Sequence, residues 1–260
     1  MTEEEVRVTV LFPRSMERRV LSALRDLTTF LRETVGVEEL GLGTVEEPEE
    51  YARWLARRVS DHVAEEVLHS LLGNAGALAV RVDELEYHVI VGPAYDSRRF
   101  LRAGLAHEFA HILQHRMGLF PSGLRAPAGA ARSILLPLEV GAEELVLRRL
   151  PEVGEDRIEL ARREGSEWRR TGDPLLDLEN ALIAAPVNLA LRRLGRETRV
   201  PEPRVDDEEV SAARRRLVRS AARVDPWDRE QVREYVEWAS GWLLRWLADL
   251  DYPRHHSTND

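Results

Sequence analysis

Apolar and polar positions divide the chain into a short strand-bearing first part and a long helical remainder. The run from Val6 to Phe12 is rich in β-branched residues and stops at Pro13, which predicts an opening strand. From Met16 to Val35 the apolar residues Val20, Leu24, Leu27 and Leu31 recur at helical spacing, and Gly36 ends the pattern. A loop holding Gly41 and Gly43 leads to a second helix predicted over Pro48–Leu72, closed by Gly73 and Asn74. Ala77–Val82 and Tyr87–Val91 read as two further strands, the latter ended by Gly92-Pro93. A helix framed by Asp96-Ser97 and Gly118 follows, then a Gly- and Pro-containing loop to Arg132, and another helix starting at Pro137.

Beyond Pro151 only helical patterns recur: Glu155–Arg170, Pro174–Leu194 with a kink at Pro186, Glu208–Val224 and Trp227–Leu250. No fixed-period repeat is present. The expectation is an α+β protein with a small mixed sheet, divided into residues 1–150 and a mainly helical 151–260.

Within the framed helix, His107 and His111 are four residues apart, so their Cβ atoms lie one turn above each other, roughly 5–6 Å apart. Both imidazoles can therefore address one divalent ion. Zinc accepts such nitrogens and, in catalytic sites, takes three protein ligands and leaves a position for water. Glu108, about 100° round the helix, would stand beside that water as general base. Leu101, Leu105, Phe109, Ile112 and Leu113 fall on the opposite, core side, while Ala103, Gly104, Ala110 and Gln114 leave the histidine side small or uncharged.

The third donor decides the class. Gln114 and Met117 stand where a histidine-rich HExxHxxGxxH site would need Gly and His, and His115 lies about 12 Å along the axis from His107. Downstream, Glu139 and Glu143 share a helix face. The stretch Glu139-Val140-Gly141-Ala142-Glu143, set after His107-Glu108-Phe109-Ala110-His111, resembles the gluzincins, HExxH zinc metallopeptidases whose third ligand is a downstream glutamate.

That resemblance covers about Tyr87 to Leu150. It implies a zincin-like fold, a zinc ion held by His107, His111 and Glu139, and Glu143 as the carboxylate steadying a zinc-binding imidazole, with Glu144 and Glu143 as substitutes for Glu139. Known gluzincins place Asp where this chain has Glu143. It further implies hydrolysis of a peptide or protein substrate paired to the sheet's edge strand, expected just before the site helix. An oxyanion donor is also implied, with Tyr95, Arg98, Tyr252, His255 and His256 as candidates. A catalytically silent or latent regulatory protein on the same scaffold is the competing reading, and hydrolysis of a non-peptide amide or ester a third.

Composition narrows the setting. The chain has no Cys, so any metal is held by His and carboxylate, and a reducing, cytoplasmic compartment fits. Its 37 basic residues are all Arg against 46 acidic ones; the net charge of −9 argues against general nucleic-acid binding. The longest runs free of Arg, Asp and Glu span fourteen and twelve residues, below the roughly twenty of a membrane helix. His62 and His69 read as surface or core-edge residues, His88 as a strand-surface residue, and Arg214, Arg215, Arg216, Arg219 and Arg223 as the solvated side of an amphipathic helix. Trp238, Trp242 and Trp246, four apart, read as a core stripe, and the tail from Tyr252 as a polar terminus whose His255 and His256 could reach the metal.

Overall fold

The computed structural model describes residues 6–59, 63, 64, 67, 68, 71, 72, 76–121, 127, 129–166 and 170–250. The protein is α+β with a four-stranded mixed sheet. The described chain gathers into two compact units, residues 1–113 with 149–157 and residues 114–148 with 158–260. The segment carrying Glu139 groups with the C-terminal helices.

In the first unit, strand β1 (Arg7–Phe12) pairs in parallel with β2 (Glu39–Thr44) on one side and β4 (Glu86–Val91) on the other; β3 (Ala77–Arg81) pairs antiparallel with β4. Sheet order is β2-β1-β4-β3. Tyr87 to Val91 are all buried, as expected of an inner strand with both faces covered. The strand preceding the site helix is thus internal, and β3 stands at the edge beside it.

The strand β2 occupies what the sequence presents as a Gly-containing loop. Gly41 and Gly43 lie opposite Thr9 and Leu11, and a Cβ on Gly43 would come within 2.7 Å of the Leu11 side chain. Those glycines let β1 side chains spread over an edge strand whose Leu40 and Leu42 are exposed, so no buried alternation marks it.

Helix α1 (Glu17–Thr29) continues as a π-helical turn, Phe30–Val35, and stops at Gly36 in the left-handed region. Helix α2 covers only Pro48–Leu55 before a turn, where the sequence predicts one helix to Leu72. His62 and His69 lie outside the described residues. Leu55, Ala64, Val67, Leu71, Val80 and Ile90 form one buried cluster of this unit.

Helix α3 (Arg98–Arg116) agrees with the expected frame: Ser97 Oγ accepts from Phe100 N–H at 3.4 Å, and Gly118 adopts φ +66°.

The second unit holds helices α4 (Ala131–Arg149), α6 (Pro174–Ala181), α7 (Ala185–Arg193), α8 (Glu208–Ala221), α9 (Arg229–Asp249) and most of α5 (Pro151–Ser166). The expected kink at Pro186 is a break, with a turn at 182–184 and Pro186 in the first turn of α7. Leu136, Leu138, Leu178, Leu182, Leu217 and Leu243 anchor its core. Trp238, Trp242 and Trp246 stack at 6.1 and 6.0 Å and pack, half-buried, against that core.

Helix α4 starts six residues earlier than its proline suggests, so Pro137 lies inside it. Another helix completes its first turn: the Glu179 carboxylate of α6 accepts from Arg132 N–H (2.8 Å), Ser133 N–H (2.9 Å) and the Ser133 hydroxyl. Pro137 has no N–H for the carbonyl four residues back, that of Ser133. The hydroxyl of Tyr235, buried on α9, donates to that carbonyl at 3.0 Å.

Among the described residues no helix is long and apolar enough to cross a membrane.

Candidate metal centre

Helix α3 is buried on nearly all sides. Leu101, Leu105, Phe109 and Ile112 are fully buried on its core face, Leu113 partly, and Ala103, Ala106 and Ala110 are also inaccessible. Against that packing His107 is buried and His111 half-buried. Their Nε2 atoms approach to 3.1 Å, with the rings perpendicular and 4.6 Å apart between centroids. One turn of helix therefore aims two imidazole nitrogens at one point.

Glu139 completes the group: one donor atom from each of His107, His111 and Glu139 lies within 4.8 Å of the other two, close enough to bind a metal ion. Because α4 begins at Ala131, Glu139 stands in its third turn and is not a first-turn carboxylate answering the helix dipole. Its local placement follows from the backbone beside it. Gln114, fully buried in the last turns of α3, donates from Nε2 to the Leu138 carbonyl at 2.8 Å. A Cβ on Gly141 would stand 2.8 Å from that Nε2 and 2.9 Å from Pro226, so glycine is what lets the amide and the α4 backbone meet.

Two imidazoles and one carboxylate form a donor set that suits zinc, with room in a four-coordinate sphere for one more ligand. Of the possible substitutes for Glu139, Glu144 is committed to ion pairs with Arg193 (2.8 Å) and Arg148. Glu143, one turn beyond Glu139, is fully buried.

Glu108 is half-buried next to His107, and its Oε2 accepts from the Ala79 N–H of β3 at 2.7 Å. The carboxylate named from the sequence as the base is thus fastened to the backbone of an edge strand.

The small residues on the histidine side of α3 prove to be partly filled from elsewhere. A Cβ on Gly104 would collide with the Tyr95 hydroxyl, and one on Gly76 would meet the same hydroxyl at 2.5 Å. Gly104 precedes His107 by three residues, about 4.5 Å along the helix, so the Tyr95 phenol lies one turn from the first imidazole. Arg98 is engaged elsewhere: Nη2 donates to Asp26 (2.7 Å) and to the Ser22 carbonyl (3.2 Å) on α1. Tyr252, His255 and His256 lie outside the described residues. His115 stacks on Phe120, with centroids 3.7 Å apart.

His88 belongs to a separate aromatic cluster, and it is buried where the sequence suggests a strand-surface position. Its Nδ1 is 2.6 Å from the Tyr51 hydroxyl and its Nε2 3.2 Å from Glu86, while the ring stacks on Trp54. Burial holds the imidazole below its ordinary range despite the opposing pull of Glu86, so Nδ1 is available to accept the Tyr51 O–H. The Tyr51 phenol is pushed up by burial and by the Glu86 charge, and stays protonated.

No protein family, curated protein or solved structure matches the chain in comparisons with known proteins.

Proposed function

We propose that the protein is a zinc-dependent metallopeptidase with a zincin-like catalytic arrangement, hydrolysing peptide bonds in a cytoplasmic setting. The observation that carries this reading is the meeting of His107, His111 and Glu139 donor atoms within 4.8 Å, next to a glutamate in the HExxH position. When bound there, zinc would supply Lewis-acid polarisation of the scissile carbonyl and acidify the attacking water.

With zinc bound, Glu108 would act as the general base, taking a proton from the attacking water and returning it to the leaving amine. The Ala79 amide fixes one of its oxygens, and the other carries the proton. Edge strand β3 offers main-chain hydrogen bonds to an extended substrate, the ordinary basis of strand addition. Tyr95 is the candidate donor to the tetrahedral oxyanion that the geometry favours, because its hydroxyl rests on Gly104, one turn before His107. Glu143 is assigned the orientation of a metal-binding imidazole, a carboxylate role that its complete burial supports.

Metal analysis and peptide hydrolysis test the reading together. Glu139→Ala is expected to lose bound zinc. Glu108→Gln is expected to keep the metal and to lose about 10²–10⁴-fold in kcat. A purified protein that takes up no zinc, or a Glu108→Gln variant cleaving a peptide library as fast as the parent, would overturn it.

A further inference from the structure

The second unit contains an open surface cavity of about 650 Å³ lined by six arginines, Arg192, Arg193, Arg214, Arg215, Arg219 and Arg223, all but Arg214 exposed, and by one acid, Glu202. Such a concentration of one sign is unexpected in a chain with a net charge of −9. Helix α7 contributes two of the guanidinium groups, α8 three, and the turn after α8 the last.

The six arginines fall into two sets. Arg193 is held by Glu144 (2.8 Å) and Asp225 (3.4 Å), and Arg214 by Glu202 (3.0 Å) and the Pro203 carbonyl (3.2 Å), so these two are fixed in place before any ligand arrives. Arg192, Arg215, Arg219 and Arg223 form no ion pair among the described residues; Arg215 donates only to Ser211, at 2.8 Å. Arg216, on the same helix, turns instead to the faces of Trp238 and Trp242, at 5.8 and 5.2 Å. The arginines of α8 are therefore sorted by face, one set against aromatic rings and another toward the cavity.

Like charges four apart, as in Arg215 and Arg219, cost a helix a few tenths of a kcal/mol. The α8 C-terminus offsets part of that for Arg219, but it does not account for Arg192 arriving from another helix. Apolar Val140, Leu189 and Val218 also line the cavity.

We infer that this cavity binds a small polyanion bearing at least two phosphate groups. Its volume lies within the range of small-ligand pockets, and guanidinium forks match phosphate oxygens two at a time. A single phosphate would engage one or two of the arginines and leave the rest repelling one another. A linear di- or triphosphate can reach both sets at once. A free polyphosphate and the phosphate chain of a nucleotide share this chemistry. The inference is independent of the metal centre.

Titration calorimetry of the full chain in metal-free buffer at fixed ionic strength tests it, using inorganic tripolyphosphate, ATP, inorganic phosphate and a dT oligonucleotide as probes. One-to-one saturable binding of tripolyphosphate is expected, much tighter than that of inorganic phosphate. Removing two charge-assisted contacts in a double variant Arg219→Ser, Arg223→Ser should weaken it by roughly tenfold or more. Arg233→Ser, whose side chain pairs with Glu230 on α9, should stay within about twofold of the parent by the same reasoning that rim charges on unrelated surfaces count little. Retained circular dichroism separates loss of binding from loss of fold. Equal affinity for ATP and tripolyphosphate assigns recognition to the phosphates alone, and tighter ATP binding adds the apolar lining; both support the site. No saturable binding of tripolyphosphate at millimolar concentration, equal binding by parent and double variant, or tighter binding of the oligonucleotide than of tripolyphosphate would overturn it.

Discussion

Helices α3 and α4 are the same length, 19 residues each, and both are mostly buried, yet they are specified in opposite ways. Helix α3 carries its own instructions. A serine begins it, a left-handed glycine follows its end, and its core face is laid out at helical spacing. Helix α4 departs from local rules at three points: a carboxylate from another helix caps its first turn, a proline sits in its second turn, and a glycine lies at its middle. Each point is answered from elsewhere in the second unit, by Glu179 at the start, Tyr235 beside the proline, and Gln114 with Pro226 against the glycine. Two histidines come from the self-specified helix, and the carboxylate that joins them comes from the one other elements hold in shape.

If that contrast is right, α4 is more vulnerable to changes outside its own sequence than α3 is to changes within it. The largest effect is expected from Glu179→Ala, which strips acceptors from one buried amide, one partly buried amide and one hydroxyl at the α4 start. It should lower the unfolding free energy by about 3 kcal/mol or more in denaturant titration. A cost under about 1 kcal/mol would show that the start of α4 is held by something else.

Tyr235→Phe is next, at about 1–1.5 kcal/mol, because the Ser133 carbonyl loses its donor in a buried setting. Repeating the change in a Pro137→Ala background sharpens the comparison. An alanine in place of the proline would restore a backbone N–H to that carbonyl, and the cost of losing the Tyr235 hydroxyl should shrink toward zero. Equal costs in both backgrounds would separate the tyrosine from the proline. Ser97→Ala, the matching change at the self-specified helix, should cost only about 0.5–1 kcal/mol.

The same contrast explains what could be read from the chain alone. The pairing of His107 with His111 and the frame of α3 depend on neighbours within a few turns, and periodicity records them. Glu139 was legible as a candidate because the Glu139–Glu143 spacing is local, but its approach to the imidazoles rests on contacts no spacing encodes. Pro137, which normally marks a first turn, points to a later start for α4, and Glu179, which completes the true first turn, lies 46 residues from Ser133. Strand β2 carries no strand signature in the sequence, because its two glycines and exposed leucines leave no buried alternation. His88 gave no sign of burial, because its partner Tyr51 sits on a helix 37 residues away. The arginines of α8 were visible as a charged face, whereas the cavity they share with Arg192 and Arg193 required the fold.

The hydrogen bond from Ala79 to Glu108 has a further consequence. Edge amides that point outward from a sheet normally exchange with solvent deuterium quickly, since nothing opens before they react. This one is sheltered by a carboxylate instead of a neighbouring strand, so its exchange rate follows the placement of that side chain. Drawing Glu108 away would unmask a single main-chain hydrogen, making residue 79 a native isotope label for the position of that side chain.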